Sequence, residues 1–302
     1  MKNKRILIIV ALTLFVAVIY FALISNSDNP EKPKTETTAQ TTAAADERYE
    51  TIQKTPEDIH KGQLILVNNT NRYRFTEEQN LISVYDNMNK SQYFVKNTTL
   101  PVSETMMTPL NTMLGDFYKQ TNSKSVNIIS GYRSTEQQQE LLNAKIEEVG
   151  EAEAAKWVAT PGASEHHTGL AVDFSIFNSD GSSTPYDGSG IYAWINENCH
   201  KYGFIVRYDE SKSALTGISF EPWHFRYLGN PHATLAVQNN LCYEEYIGYL
   251  KNYTLESPLK AEVENKSYEI YYTNTTEIKI PKNAPHQISG NNVDGFIITI
   301  EK

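Results

Sequence analysis

The sequence predicts an α+β fold, in which helices and antiparallel strands mix without βαβ regularity. Three stretches carry that expectation. Residues 103–121 place Met106, Leu110, Met113, Leu114 and Phe117 on one side at helical spacing. Residues 170–176 alternate as a strand does, with Leu170, Val172, Phe174 and Ile176 on one face and Ala171 and Asp173 on the other. Beyond Pro258, the runs 268–273, 277–280 and 296–300 are strand-like and separated by Pro, Gly and Asn, which predicts a small all-β segment at 256–302.

The chain opens with Lys2, Lys4 and Arg5 before an uninterrupted apolar run at residues 6–24. Its 19 residues approach the roughly 20 that a helix needs to cross the hydrocarbon core. A cleaved signal has a shorter apolar stretch and a small-x-small site, whereas FALISNSDN follows here. Residues 1–25 are therefore expected to form an uncleaved signal anchor. The cationic head places the N-terminus inside and the rest of the chain beyond the cell membrane. Residues 26–46, rich in Thr, Ala, Lys and Pro, hold no large apolar side chain to offset ordering entropy. They are expected to be a disordered tether spanning about 25 Å as a flexible coil.

A globular part is expected over residues 47–255. A short strand at 63–67 ends in the turn residues Asn68 and Asn69. Residues 126–130 (VNIIS) form a buried strand leading into Gly131, Tyr132 and Arg133. Ser134 with Gln137 is a capping-box pattern that starts a helix running to about Gly150. A further helical stretch at 152–159 stops at Thr160-Pro161-Gly162. After a Gly/Ser/Asp-rich loop at 178–190 come a helix ending at Gly203, strands at 204–208 and 217–221, and helices at 231–241 and 244–252.

Composition excludes one class of partner. The formal net charge of -9, with no basic run interleaved with aromatics, argues against nucleic acid, whose affinity comes largely from Lys and Arg neutralising phosphates. The two cysteines, Cys199 and Cys242, either pair in an oxidising compartment or stand as separately buried thiols.

The chemistry concentrates in two places. In SEHHTGLAVD (164–173), Asp173 lies in an apolar strand, where its charge is costly to bury without compensation. A metal ion offers that compensation, and the Thr168-Gly169 turn lets His166, or its neighbour His167, face Asp173. In EPWH (221–224), Pro222 disfavours regular ladder pairing, and a bulge there would aim Glu221 and His224 into one cavity. Two imidazoles and a carboxylate are a ligand set zinc accepts with a position left for water. Glu221 is then the candidate general base, although pairing with Arg207 or Arg226 is an alternative use for it.

SGYRS (130–134), SEHHTGLAVD (164–173), KYGFIVRY (201–208) and EPWHFRYLG (221–229) together resemble the VanY-type D-alanyl-D-alanine carboxypeptidases, over roughly residues 58–250. Both family motifs, S-x-H-x-x-G-x-A-x-D and E-x-W-H, stand complete and in order. The resemblance implies a zinc D,D-peptidase core, with a mainly antiparallel central sheet flanked by helices. It implies one zinc ion held by His166, Asp173 and His224, with Glu221 as base, and so prefers His166 to His167. Arg133 corresponds to the family arginine that steadies the scissile carbonyl or the terminal carboxylate. Ser164 and Gln138 match substrate-contact positions, and Tyr208 and Trp223 are expected to line the pocket. The implied activity is removal of the C-terminal D-alanine from a peptidoglycan stem peptide. L,D cleavage of the tetrapeptide stem is the neighbouring alternative, and a non-catalytic wall-binding protein is the alternative from another class.

Overall fold

The computed structural model describes residues 47–75 and 79–302. The apolar run at 6–24 and the tether at 26–46 lie outside them. Among the described residues, no helix is long and apolar enough to cross a membrane.

Fourteen strands are described: β1 Tyr49–Gln53, β2 Leu81–Ser83, β3 Phe94–Val95, β4 Pro101–Ser103, β5 Val126–Ser130, β6 Ala171–Phe177, β7 Ser183–Pro185, β8 Phe204–Tyr208, β9 Glu221–Tyr227, β10 Leu259–Val263, β11 Lys266–Thr273, β12 Glu277–Pro281, β13 His286–Gly290 and β14 Phe296–Glu301. The central sheet runs β3-β5-β6-β9-β8, with β7 pairing on β6. Every pairing in it is antiparallel except β3 with β5. The expected mainly antiparallel α+β core is present.

Helix α1, Glu104–Thr121, covers one face of this sheet. Its apolar stripe buries Met106, Leu110, Met113, Leu114 and Phe117 in the same core as Leu170, Val172 and Phe174 of the β6 strand and its entry. The helix ends at Asn122, whose left-handed φ of 53° closes the last turn through an N–H bond to the Tyr118 carbonyl. Helix α2, Thr135–Val149, begins with the anticipated capping box of Ser134 and Gln137. Because it starts immediately after β5 and Arg133, it sets the wall of the functional cavity.

Helices α3, His232–Gln238, and α4, Tyr243–Leu250, carry the chain to the C-terminal sheet, whose order is β10-β11-β14-β13. The expected all-β character of residues 256–302 is present, but β10 and β13 were not anticipated. This sheet shares its core with the preceding part: Val263, Tyr268, Ile270 and Ile297 pack with Leu66, Leu228, Tyr243 and Leu250. β12 leaves that sheet and pairs antiparallel with β1 at the other end of the described chain.

Two expected strands differ. Residues 63–67 form no ladder, although 64–67 are buried, because side chains and loops take their backbone groups. Leu64 N–H donates to Ser289 Oγ, Leu66 N–H to the Asn291 carbonyl, and Arg226 Nη2 to the carbonyls of Gln63 and Ile65. Residues 217–220 are not a strand either; β9 starts at Glu221, and the Gly217 N–H instead closes a turn on the Ser213 carbonyl. The expected helix over 152–159 is one short turn, Glu151–Ala154. Cys199 and Cys242 are separate buried thiols.

Candidate metal centre and active site

The site is built on the two strands at the middle of the sheet. β6 and β9 pair with Asp173 directly opposite His224. Opposed residues on antiparallel strands hold their Cβ atoms about 5 Å apart, so the backbone alone brings these side chains together. His166 arrives from the 3₁₀ turn Glu165–Thr168, which Gly169 closes in the left-handed region at φ 69°. A Cβ at Gly169 would also meet Leu81 at 2.8 Å, so the return onto β6 requires glycine there.

The β8–β9 ladder explains how Glu221 and His224, three residues apart, serve one cavity. Val206 pairs with Phe225, but Tyr208 pairs with Glu221, so Pro222 and Trp223 are extra residues on the β9 side. This is the bulge anticipated from Pro222. It turns Glu221 back toward His224, placing its Oε2 3.9 Å from His224 Nδ1.

His166, Asp173 and His224 each offer one ligand atom, and these atoms lie within 4.8 Å of one another. His166 Nε2 stands 3.1 Å from Asp173 Oδ2, and His224 Nδ1 stands 3.0 Å from Asp173 Oδ1. Despite the second distance, buried Asp173 Oδ1 has no hydrogen-bond partner. Close approach without hydrogen-bond direction is the arrangement of lone pairs aimed at a common point. The far nitrogen of each ring is engaged elsewhere. His166 Nδ1 is 2.7 Å from the Gly131 carbonyl, which fixes that nitrogen as the donor and leaves Nε2 bare. His224 Nε2 faces Glu165 Oε2 at 3.4 Å.

The electrostatics favour a cation at this point. Burial lowers the His166 imidazole to about 4, so it is a neutral donor. Burial works against charging His224 as well, yet Asp173, Glu165 and Glu221 raise it to about 9. Burial disfavours an ionised Asp173, but the two imidazoles hold its carboxyl well below the usual range. One neutral imidazole, a second held in an anionic field and an ionised carboxylate fit a divalent zinc-type ion.

These residues open into a cavity of about 550 Å³ whose lining includes Arg133, Gln138, Ser164, Tyr208, Glu221 and Trp223. All nine candidate site residues therefore meet at one place, although they come from separate segments. Burial raises the Glu221 carboxyl to about 8, with Asp173 adding to the effect and His224 and Arg133 opposing it. Arg133 is steered by its neighbours: Nη1 donates to Gln138 Oε1 at 2.7 Å and Nη2 to Ser130 Oγ at 2.8 Å. Gln138 spends its other polar group on the Ala159 carbonyl at 2.7 Å, so here it orients the guanidinium. The Tyr208 ring lies tilted against the His224 ring, with centroids 5.0 Å apart.

His167 lies outside the ligand group. Its Nδ1 is 2.7 Å from the Arg133 carbonyl and its Nε2 accepts from Gly162 N–H at 3.0 Å, which ties three loops together. Nor do Arg207 and Arg226 pair with Glu221. Both reach Glu165, a residue the sequence reading passed over. The signal was faint, because the partners that identify Glu165 lie far along the chain and no periodicity joins them.

The chain is similar to proteins of known activity. The family model described as VanY, D-alanyl-D-alanine carboxypeptidase, matches residues 100–230. A D-alanyl-D-alanine carboxypeptidase of Enterococcus faecium is 35% identical over 254 residues, covering 82% of this chain and 77% of that protein. Among solved structures, the vancomycin-resistance D,D-dipeptidase VanXYg, in complex with a D-Ala-D-Ala phosphinate analogue, aligns with a TM-score of 0.75 at 32% identity. That alignment covers 84% of this chain and 99% of that one. A mutant of the D,D-pentapeptidase VanY from a VanB-type resistance cassette, in complex with Zn(II), aligns with a TM-score of 0.51 at 34% identity, over 61% of this chain and 98% of its own.

Proposed function

This chain belongs to the VanY family of D-alanyl-D-alanine carboxypeptidases, and on that premise we propose that it is a zinc hydrolase removing the terminal D-alanine from peptidoglycan stem peptides. The observation that carries the reading is the convergence of three ligand atoms within 4.8 Å, beside Glu221 and Arg133 in a single cavity.

His166, Asp173 and His224 would hold one zinc ion. When bound, zinc supplies Lewis acidity, polarising a carbonyl and lowering the pKa of water toward neutrality. Glu221 takes the proton of the attacking water and returns it to the leaving D-alanine amine. Its burial suits this role, because desolvation raises the proton affinity of a carboxylate that must hold a proton between the water and the leaving amine. Arg133, held in a fixed orientation by Gln138 and Ser130, donates to the oxygen of the scissile carbonyl or the terminal carboxylate. Ser164, Tyr208 and Trp223 shape the wall against which the terminal residues lie.

The catalytic part begins near residue 47 and is tethered by residues 26–46 to an anchor at residues 6–24, so that it works outside the cell membrane. The cationic flank, the apolar run and the extracytoplasmic position of the wall substrate support this placement. Fractionation with and without residues 1–25 tests it: membrane association that survives the deletion removes the anchor.

The test of activity is incubation of the zinc-loaded protein with synthetic pentapeptide and tetrapeptide stems separately, following released D-alanine by mass spectrometry. Cleavage of the pentapeptide establishes the D,D activity. Cleavage of the tetrapeptide alone moves the enzyme to L,D chemistry on the same residues. Zinc uptake without turnover on either stem leaves a wall-binding protein.

A further inference from the structure

We infer that Glu165 is the positioning residue of the metal centre, an assignment that rests on the zinc reading above: it holds His224 so that Nδ1 faces the ion. Its side chain is completely enclosed, at 0% exposure, where a carboxylate is tolerated only with its charge and lone pairs matched. Its two oxygens are used differently. Oε1 accepts from Arg207 Nε at 2.8 Å and from Arg226 Nη1 at 3.2 Å. Oε2 is left facing His224 Nε2 at 3.4 Å.

Both guanidiniums are themselves fixed. Glu244 of α4 takes Arg207 in a two-pronged bond, with Nη1 at 3.0 Å and Nη2 at 2.6 Å. Arg226 Nη2 donates to the carbonyls of Gln63 and Ile65 at 2.9 and 3.1 Å. The Tyr243 ring lies beside both cations, 5.6 Å from Arg207 and 5.2 Å from Arg226. With Oε1 clamped, Oε2 has one direction in which to point. Two glutamates and two arginines also balance in charge within this buried cluster. A ring whose Nε2–H donates to a carboxylate presents the bare Nδ1 lone pair on its other side. The assembly connects the ligand to α4 and to residues 63–65, segments distant from the cavity.

A carboxylate that merely stabilised the fold would not govern metal affinity selectively, and the experiment separates the two. Zinc affinity of the purified full-length chain would be measured by competition with a chromophoric chelator, alongside thermal unfolding of the metal-free protein. Glu165→Gln should weaken zinc binding about 10- to 100-fold, as loss of such ligand-orienting partners does. Glu165→Asp keeps the charge for the arginines but shortens the arm; it should fold and still bind zinc more weakly, and it carries the test if Glu165→Gln does not fold. Glu244→Gln breaks the Arg207 clamp without touching His224. It should lower the unfolding temperature and weaken zinc binding less than either Glu165 variant, because Arg226 still holds Glu165 Oε1. Wild-type affinity in both Glu165 variants, or an equal loss in Glu244→Gln, overturns the assignment. A wild-type chain that takes up no zinc overturns the metal reading itself, and this assignment with it.

Discussion

Asp173 and His224 are opposed partners on neighbouring antiparallel strands, and Oδ1 lies 3.0 Å from Nδ1 while remaining without a hydrogen bond. Two of the three candidate ligands are thus placed by the strand ladder itself. Behind them, Val172, Phe174 and Phe225 are fully buried in the main core. The pocket's geometry belongs to the folded backbone, and the ion does not have to create it.

Metal removal should therefore abolish activity without unfolding the protein. Chelation is expected to lower the unfolding free energy by the linkage contribution alone, about 4 kcal/mol at a thousandfold excess of zinc over its dissociation constant, and the thermal midpoint correspondingly. Asp173→Asn should fold but no longer retain stoichiometric zinc. Loss of far-ultraviolet dichroism on chelation would contradict this.

Glu221→Gln keeps the size of the side chain but cannot take a proton. The expected loss in kcat is about 10²- to 10⁴-fold with zinc content still near one per chain. A variant that retains wild-type turnover removes Glu221 from the base role.

Arg133→Lys loses the forked donor geometry and should reduce kcat by about 10²- to 10³-fold, the usual effect of deleting an oxyanion donor. Gln138→Ala, which frees the guanidinium from its 2.7 Å bond, should give a smaller loss in the same direction. Steady-state kinetics on the pentapeptide stem compares the two, and a larger loss in Gln138→Ala would make the glutamine a direct substrate contact.

The buried imidazole of His232, between Tyr246 Oη and Thr299 Oγ1 at 2.8 Å each, predicts an acid-sensitive fold. Burial pushes it down from its ordinary 6.5 to about 3. Between those values the unfolded chain binds a proton that the folded chain refuses. The contribution of this group is complete above pH 6.5 and is lost as pH falls toward 3, by up to about 1.4 kcal/mol per unit. Urea midpoints from pH 4 to 7 should show the slope, and His232→Gln should flatten it.

Phe174 lies on the opposite face of β6 from Asp173, with ring centroids 4.7 Å from Phe225 and 5.9 Å from Tyr186. Phe174→Ala should cost about 3–5 kcal/mol of stability. Urea titration of the metal-free protein measures it, and a cost under 1 kcal/mol would show that the site's backing collapses to fill the gap.

Much of the site was legible in the chain. Asp173 in an apolar strand is expensive unless something balances it, and that cost is visible in residue order alone. The alternation of Leu170, Val172, Phe174 and Ile176 and the capping box at Ser134 and Gln137 are local patterns, so they survive folding unchanged. Pro222 signalled the bulge because a missing N–H cannot join a ladder. The run at 63–67 misled for the converse reason: its apolar side chains are buried, but Ser289, Asn291 and Arg226 satisfy its backbone where a strand partner would have done so.

What the sequence determined by itself was which side chains are candidates for the site, most of the helices and strands that carry them, and the family the chain belongs to. The tertiary structure decided how His166, the histidine the family resemblance had already preferred, is turned inward, which carboxylate the two buried arginines take, and that the C-terminal sheet shares a core with α4. Those outcomes depend on contacts between residues far apart in the chain. His166 is selected by the Gly131 carbonyl at the end of β5, and Glu165 by Arg207 and Arg226 on strands that follow it. Periodicity records only the environment of a residue's near neighbours, whereas a buried charge takes whichever partner the completed fold brings within hydrogen-bond reach.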